Sequence, residues 1–292
     1  MRGDPAMHDL VAPGSLGAVL NLLAAEPGVW TPIAGGTELM VAFSAGRLNA
    51  QKLVSLWGIS DLRSIETKPE SVAIGAAATF LDLRRDAVIA ADFPLLARAA
   101  SWIGSIANQS RATLGGNLVN GSPAADSSPA LFAYDAEIEM ISARGRRRVP
   151  YSEFHTGYKR NVLAPDELLY AIHLPRRFAR HRQYLRKVGT RRAMAIAKVA
   201  LGATALLEEN VVREIRIGAA SLAPYPVRLV GTEAALLGNS ITRETLQAAR
   251  SALLAEIKPI DDIRSTAQYR RRVAVNLLEE LLLELRRGGL RA

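Results

Sequence analysis

The chain has no cysteine in its 292 residues. That excludes disulfides, a thiolate zinc site and iron–sulfur ligation by this polypeptide. Any iron–sulfur cluster that works with it must sit on another chain. The absence of cysteine agrees with a reducing cytoplasm, where we expect the protein, without fixing the compartment by itself. Long uninterrupted apolar runs are also missing. The stretch Leu277 to Leu285 is broken by Glu279, Glu280 and Glu284, so it reads as an amphipathic helix and not a membrane span. Met1 to Leu10 carries charges and a proline and does not read as a signal peptide.

Several chemistries lack their signatures. The sequence has no GxGxxG, no P-loop, no HExxH and no GxSxG. Its four histidines, His8, His155, His173 and His181, have no metal-ligand spacing, so no metal site is expected on this chain. No serine–histidine–acid set stands out, and no hydrolytic or other acid–base catalytic residue is assigned.

What is abundant is positive charge, +9 overall. A basic surface suits nucleic acid, general solubility or docking to acidic partner chains. The arginines are scattered through Arg84–Arg85, Arg144–Arg148, Arg176–Arg182 and Arg270–Arg272. No recognition helix, zinc finger or RNA-binding aromatic signature accompanies them, which disfavours nucleic acid.

The chain is long enough for two or three domains. Ser15 before Leu16, Val19, Leu20 and Leu23 predicts a capped amphipathic helix that ends at Glu26-Pro27-Gly28. Strands are predicted at Val29–Ala34 and Lys52–Leu56, with a helix between them from about Glu38, so a small parallel α/β unit is expected over 1–57. Residues 58–178 read as a mixed-sheet unit. Its predicted strands are Val72–Ala77, Ala136–Ser142, Arg146–Val149 and Leu168–Leu174. Its predicted helices are one capped by Thr79 and one over Asp92–Trp102. Residues 179–292 read as an α+β domain. Three antiparallel strands, Gln183–Val188, Ala197–Leu207 and Val211–Ala219, precede helices at Thr232–Leu237, Thr242–Leu254 and Thr266–Arg286. The fold class is therefore α+β, with a two-part N-terminal region and a C-terminal domain.

Two glycine pairs carry the remaining chemistry. The first lies in Pro32-Ile33-Ala34-Gly35-Gly36-Thr37-Glu38, at a strand end before a helix. Glycine lets backbone N–H groups approach an anion, the helix start adds partial positive charge, and Thr37 can cap that helix or donate to a phosphate. The second, Thr113-Leu114-Gly115-Gly116-Asn117, lies about 80 residues on and is followed by Asn120-Gly121-Ser122-Pro123 and Asp126. Each pair alone also suits an ordinary tight turn. Together they point to a phosphate or dinucleotide binder.

These segments resemble the two pyrophosphate-binding loops of the FAD domain in the xanthine dehydrogenase and carbon monoxide dehydrogenase family of molybdenum hydroxylases. AGGTEL is similar to the first loop, and TLGGNLVNGSPAAD to the second. FHTGYKRNVLAPDELLYAIHLP, YLRKVGTRRAMAIAKV and Ala267-Gln268-Tyr269-Arg270 resemble later family segments in the same order. The resemblance covers essentially the whole chain. It implies the FAD-binding fold shared with vanillyl-alcohol oxidases and an FAD-dependent oxidoreductase subunit. It also implies a large molybdenum–pterin subunit and a small subunit with two [2Fe–2S] clusters as partners, in a dimer of heterotrimers.

Carried over, the resemblance places Pro32 to Glu38 and Thr113, Gly115, Gly116 and Asn117 around the diphosphate. Asp126 would take a ribityl or ribose hydroxyl, and Ile103 would form an apolar wall. Leu169 and Ile196 would flank the isoalloxazine, with Lys187 at the flavin's polar edge. Read from the residues alone, Leu169 and Ile196 equally suit plain core, and Lys187 suits a solvated surface. Where NAD-reducing relatives can carry acidic residues, this chain has Ala193-Met194-Ala195, which argues against NAD as acceptor. The absence of cysteine argues against the benzoyl-thioester branch. A stand-alone flavin oxidoreductase is the alternative from the same cofactor class.

Overall fold

The computed structural model describes residues 3–191 and 193–287. Residues 1–2, 192 and 288–292, which include Arg192 of the Tyr184–Val199 stretch and both ends of the chain, lie outside it. Among the described residues no helix is long and apolar enough to cross a membrane.

The chain opens with β1 (Asp9–Val11), α1 (Leu16–Ala25), β2 (Trp30–Ile33), α2 (Leu39–Ser44) and β3 (Lys52–Ser55). The strands form a parallel sheet in the order β1-β3-β2. Ser15 Oγ caps α1 by accepting the Ala18 N–H at 3.2 Å. Leu16, Val19, Leu20 and Leu23 follow at helical spacing and bury against Val54, Leu56 and Leu62. The sequence does not signal β1, whose three residues are all exposed. The helix expected from Glu38 is only six residues long, buries nothing and has Glu38 rather than Thr37 at its N-cap.

Next come β4 (Ile65–Thr67) and β5 (Ser71–Gly75), then six short helices: α3 (Phe80–Arg85), α4 (Ala87–Asp92), α5 (Pro94–Ser101), α6 (Ile106–Gln109), α7 (Leu114–Asn120) and α8 (Ser128–Ala133). Thr79 caps α3 reciprocally: its Oγ1 accepts from the Asp82 N–H at 3.1 Å, and its own N–H donates to the Asp82 carboxylate at 2.9 Å. The helix predicted over Asp92–Trp102 starts later, because Asp92 ends α4 and Pro94 opens α5. The chain continues with β6 (Glu137–Ser142), β7 (Gly145–Pro150), α9 (Tyr151–Phe154), the ribbon strands β8 (His155–Gly157) and β9 (Arg160–Asn161), and β10 (Leu168–Pro175).

These strands form a five-stranded sheet in the order β4-β5-β10-β6-β7, antiparallel at every pairing. The mixed sheet expected from sequence is corrected here. Apolar alternation reports burial, not strand direction. The helices α3 to α8 link β5 to β6, but β10 inserts between the two, so no parallel neighbours arise. The basic run on β7 is locally neutralised. Arg144 pairs with Asp166, Arg146 and Arg148 with Glu139, and Arg147 with Glu167.

The last part holds β11 (Arg182–Val188), β12 (Val199–Glu208), β13 (Val211–Ala220) and β14 (Val227–Arg228), followed by α10 (Val230–Leu236), α11 (Arg243–Glu256) and α12 (Ala267–Arg287). The sheet has four strands in chain order, not the three expected. The extra strand, β14, has two residues, too few to show a period of two. α12 packs on the sheet through Ala274, Leu277, Leu278, Leu281, Leu282 and Leu285. α8 lies across β12 and β13 because Gly202 and Gly218 leave room: a Cβ on either would come within 3.0 Å or less of Pro129. Thr204 Oγ1 donates to the Ala133 carbonyl at 2.6 Å across the same contact.

Leu281 is fully buried and Leu283 half-exposed on the same helix. Leu281→Ala should lower the unfolding free energy by about 2–5 kcal/mol, and Leu283→Ala by about 0.5 kcal/mol or less. Urea denaturation of the two variants checks this, and equal losses would contradict the packing described for α12.

Candidate functional site

The first glycine loop leaves β2 and turns against the second. An added Cβ on Gly35 would lie 1.6 Å from the Arg111 carbonyl oxygen, so only glycine permits this approach. Gly36 follows with φ of +73°. Arg111 is itself fixed, with its guanidinium carbon 3.8 Å from the centroid of the Trp57 ring. Among the described residues, no hydrogen-bond partner occupies the N–H groups of Gly35, Gly36, Thr37 or Glu38. A row of unsatisfied donors of this kind requires an external acceptor, water or anion. Because α2 is so short, the donors themselves carry this argument and the helix dipole does not.

The second loop differs. The Gly115 N–H donates to the Ala76 carbonyl at 2.9 Å, and the Gly116 N–H to Thr113 Oγ1 at 3.0 Å. A Cβ on Gly115 would come within 2.6 Å of Ala76, so this glycine serves the packing of α7 beneath the β5–α3 turn. With Leu114 and Asn117 also bonded to the Ala78 and Thr113 carbonyls, the backbone donors from Leu114 to Asn117 are already used, and the two loops that look alike in sequence differ in this. What remains is the Thr113 N–H, its hydroxyl hydrogen and the Asn117 side-chain N–H groups. The Asn117 carbonyl oxygen accepts from Ser127 Oγ at 2.6 Å, which orients that amide.

Both loops line one cavity of about 650 Å³, together with Pro32, Ile33, Ala34, Ile103 and Leu169. A second cavity of about 850 Å³ adjoins it, walled by Asp126, Trp102 and Ile196 and by residues of the C-terminal domain. Glu38, Ile103, Asn117, Asn120 and Lys159 line both. Leu169 and Ile196, expected to flank one ring together, line different cavities. Lys187 lines neither, yet it is not solvated: its ammonium lies 2.5 Å from Asp126 and 6.0 Å from the centroid of the Trp102 ring.

Burial pushes the Asp126 carboxyl up to about 6, against the pull of the Lys187 ammonium. Its second oxygen, Oδ1, is buried without a partner. The far wall of the second cavity is held at Ser221, in the left-handed region with φ of +64°. The Ser221 N–H donates to the Pro123 carbonyl at 2.7 Å and its hydroxyl to the Ala197 carbonyl at 2.8 Å. Arg270 donates to the Ser221 carbonyl at 3.1 Å and to Asp262 at 2.6 Å. Sequence reasoning does not single out Lys159, Ser221 and Arg270 as wall residues. Lys159 and Arg270 lie within segments that resemble the family's, but only three-dimensional proximity gives them a place.

A dinucleotide flavin has two aromatic ends joined by a diphosphate and hydroxylated chains. Two adjoining cavities fit it, with free amides, a hydroxyl and an oriented amide on the walls of the first and an orphaned carboxylate oxygen at the second. Residues 6–177 match the family described as the FAD binding domain in molybdopterin dehydrogenase. The chain belongs to that family. Residues 184–285 match the CO dehydrogenase flavoprotein C-terminal domain. The xanthine dehydrogenase FAD-binding subunit of Escherichia coli O157:H7 is 30% identical over 272 residues, 92% of this chain and 93% of that one. The carbon monoxide dehydrogenase medium chain of Hydrogenophaga pseudoflava is 29% identical, covering 95% and 96%. A solved carbon monoxide dehydrogenase from that organism, lacking the Mo-pyranopterin moiety of its molybdenum cofactor, superposes with a TM-score of 0.90 over 95% of this chain and 96% of that one. The chain is thus an FAD-dependent oxidoreductase subunit of the xanthine and carbon monoxide dehydrogenase type.

In this FAD subunit the folded state holds the Asp126 proton more tightly than the unfolded chain, whose ordinary value is 3.8. The group's contribution to stability is therefore complete below about pH 4 and is lost as pH rises through 6. Flavin-free wild type should lose stability relative to Asp126→Asn between pH 4 and pH 7. A flat or rising difference in denaturant unfolding would contradict it.

Proposed function

We propose that this chain is the FAD-carrying subunit of a multi-subunit molybdenum hydroxylase. A large subunit with a molybdenum–pterin cofactor hydroxylates the substrate, a small subunit with two [2Fe–2S] clusters relays the electrons, and they leave this chain to an external acceptor. FAD, when bound, supplies the redox chemistry, and the protein supplies binding, orientation and electrostatics. The observation that carries this reading is the convergence of both glycine loops on one cavity that continues into a second against the C-terminal domain. The absence of cysteine requires the iron–sulfur relay to be on a partner. We also read the chain as units 1–57, 58–178 and 179–292, in a dimer of heterotrimers in the cytoplasm.

Within the site, the free amides of Gly35 to Glu38 face the diphosphate, and Thr113 and Asn117 donate from the opposite side. Pro32, Ile33, Ala34, Gly115 and Gly116 complete the walls, while Ile103, Leu169 and Ile196 supply apolar surface. Asp126 Oδ1 accepts a hydroxyl of the cofactor. Lys187 acts through Asp126, holding that carboxylate in place at the edge of the second cavity.

Two measurements test this. A hydroxyl donated to Asp126 favours its carboxylate form, so FAD affinity should rise as pH rises through about 6, and Asp126→Asn should flatten that rise. A pH-independent affinity in the wild type would remove Asp126 from the site. Secondly, the tagged chain isolated from its native cells should bring two further subunits, with iron and molybdenum in a ratio of about four to one. A metal-free flavoprotein that elutes alone would favour the stand-alone oxidoreductase.

A further inference from the structure

Of the charged side chains on the first cavity's described walls, Glu38, Glu167 and Lys159, only Lys159 is a cation. Glu167 is already held by a two-pronged contact from Arg147, at 2.7 and 2.6 Å. Lys159 donates to Glu38 at 3.2 Å, joining residues 121 positions apart, and both line the two cavities where they meet. This ion pair therefore reaches from the ribbon of β8 and β9 to the end of the first glycine loop.

The backbone beneath Lys159 is fixed, whereas the ion pair above it is free to exchange. Lys159 has φ of +52° in the turn between β8 and β9. Gly121, also left-handed at +61°, ends α7 so close that an added Cβ would lie 3.0 Å from the Lys159 Cα. The Asn161 side chain donates to the Val119 carbonyl at 3.3 Å and ties the ribbon to the same helix. The side chains of Lys159 and Glu38 are 44% and 59% exposed, and so exposed an ion pair is weakly held.

We propose that Lys159 is the counter-charge of the FAD diphosphate and that Glu38 holds it at the neck until the cofactor enters. This rests on the reading that FAD occupies the two cavities. On binding, the Lys159 ammonium exchanges the Glu38 carboxylate for phosphate oxygens, a stronger charge-assisted contact in a less solvated setting. Glu38 is then released toward solvent, while its backbone N–H stays in the row of free donors. No covalent bond changes.

The test is FAD titration of the full-length, flavin-stripped chain, followed by flavin fluorescence at several salt concentrations. Wild type should bind FAD, more weakly as salt rises. Lys159→Met should raise the Kd at low salt by about tenfold and flatten its salt dependence, the loss expected for one charge-assisted contact. Lys159→Arg should recover most of the affinity, since it keeps the charge. Glu38→Gln should speed FAD association at low salt. The proposal is overturned if wild type binds FAD and Lys159→Met matches it in affinity and salt slope. It is also overturned if Lys159→Arg is as weak as Lys159→Met, or if Glu38→Gln slows association. Wild type that takes up no FAD overturns the underlying reading together with this one.

Discussion

The carbonyl oxygen of Arg111 lies where a β-carbon of residue 35 would otherwise be. That contact joins the small parallel unit to the loop that precedes α7, and the first cavity follows from it. With Gly35 pressed against this backbone, its own N–H and the three that follow find no partner among the described residues and wait for an acceptor. Any side chain at position 35 must push the two loops apart. The cavity then loses the shared wall through which it meets its neighbour.

The second constraint lies between the FAD region and the C-terminal sheet. Gly202 and Gly218 let α8 pack flat on β12 and β13, and buried polar contacts fix the register. Tyr134 donates to Gln183 at 2.6 Å and accepts the Leu95 N–H at 2.9 Å. On the cavity side, the Asp126–Lys187 pair and the Ser221–Pro123 contact bridge the same two regions. These are low-dielectric contacts whose partners depend on one another, so loosening one wall leaves buried groups unpaired on the other. The second cavity is thus a product of domain packing, and the first a product of backbone approach.

This division explains what was legible in the sequence. Features governed by local chemistry could be read: the Ser15 and Thr79 caps, the buried stripe of α12, the apolar runs of β12 and β13, and the first glycine loop. Features governed by tertiary pairing could not. Nothing in β10 says that it inserts between β5 and β6, so the antiparallel sheet reads from sequence as a mixed one. The second glycine loop looks like the first, yet its amides are consumed by Ala76 and Thr113, partners that only the fold supplies. Lys187 sits among arginines and reads as solvated, until β11 carries it to Asp126. The family likeness names these residues as one set, but the residues alone do not show that Leu169 and Ile196 line different cavities.

The most direct measurement is the visible absorption spectrum of the purified chain before and after denaturation, with any released pigment identified by mass. The account predicts oxidised-flavin bands in the folded protein and FAD in the supernatant after unfolding. A colourless protein that also fails to take up added FAD would contradict it, and would return the Gly35 and Gly115 loops to being close-packed turns.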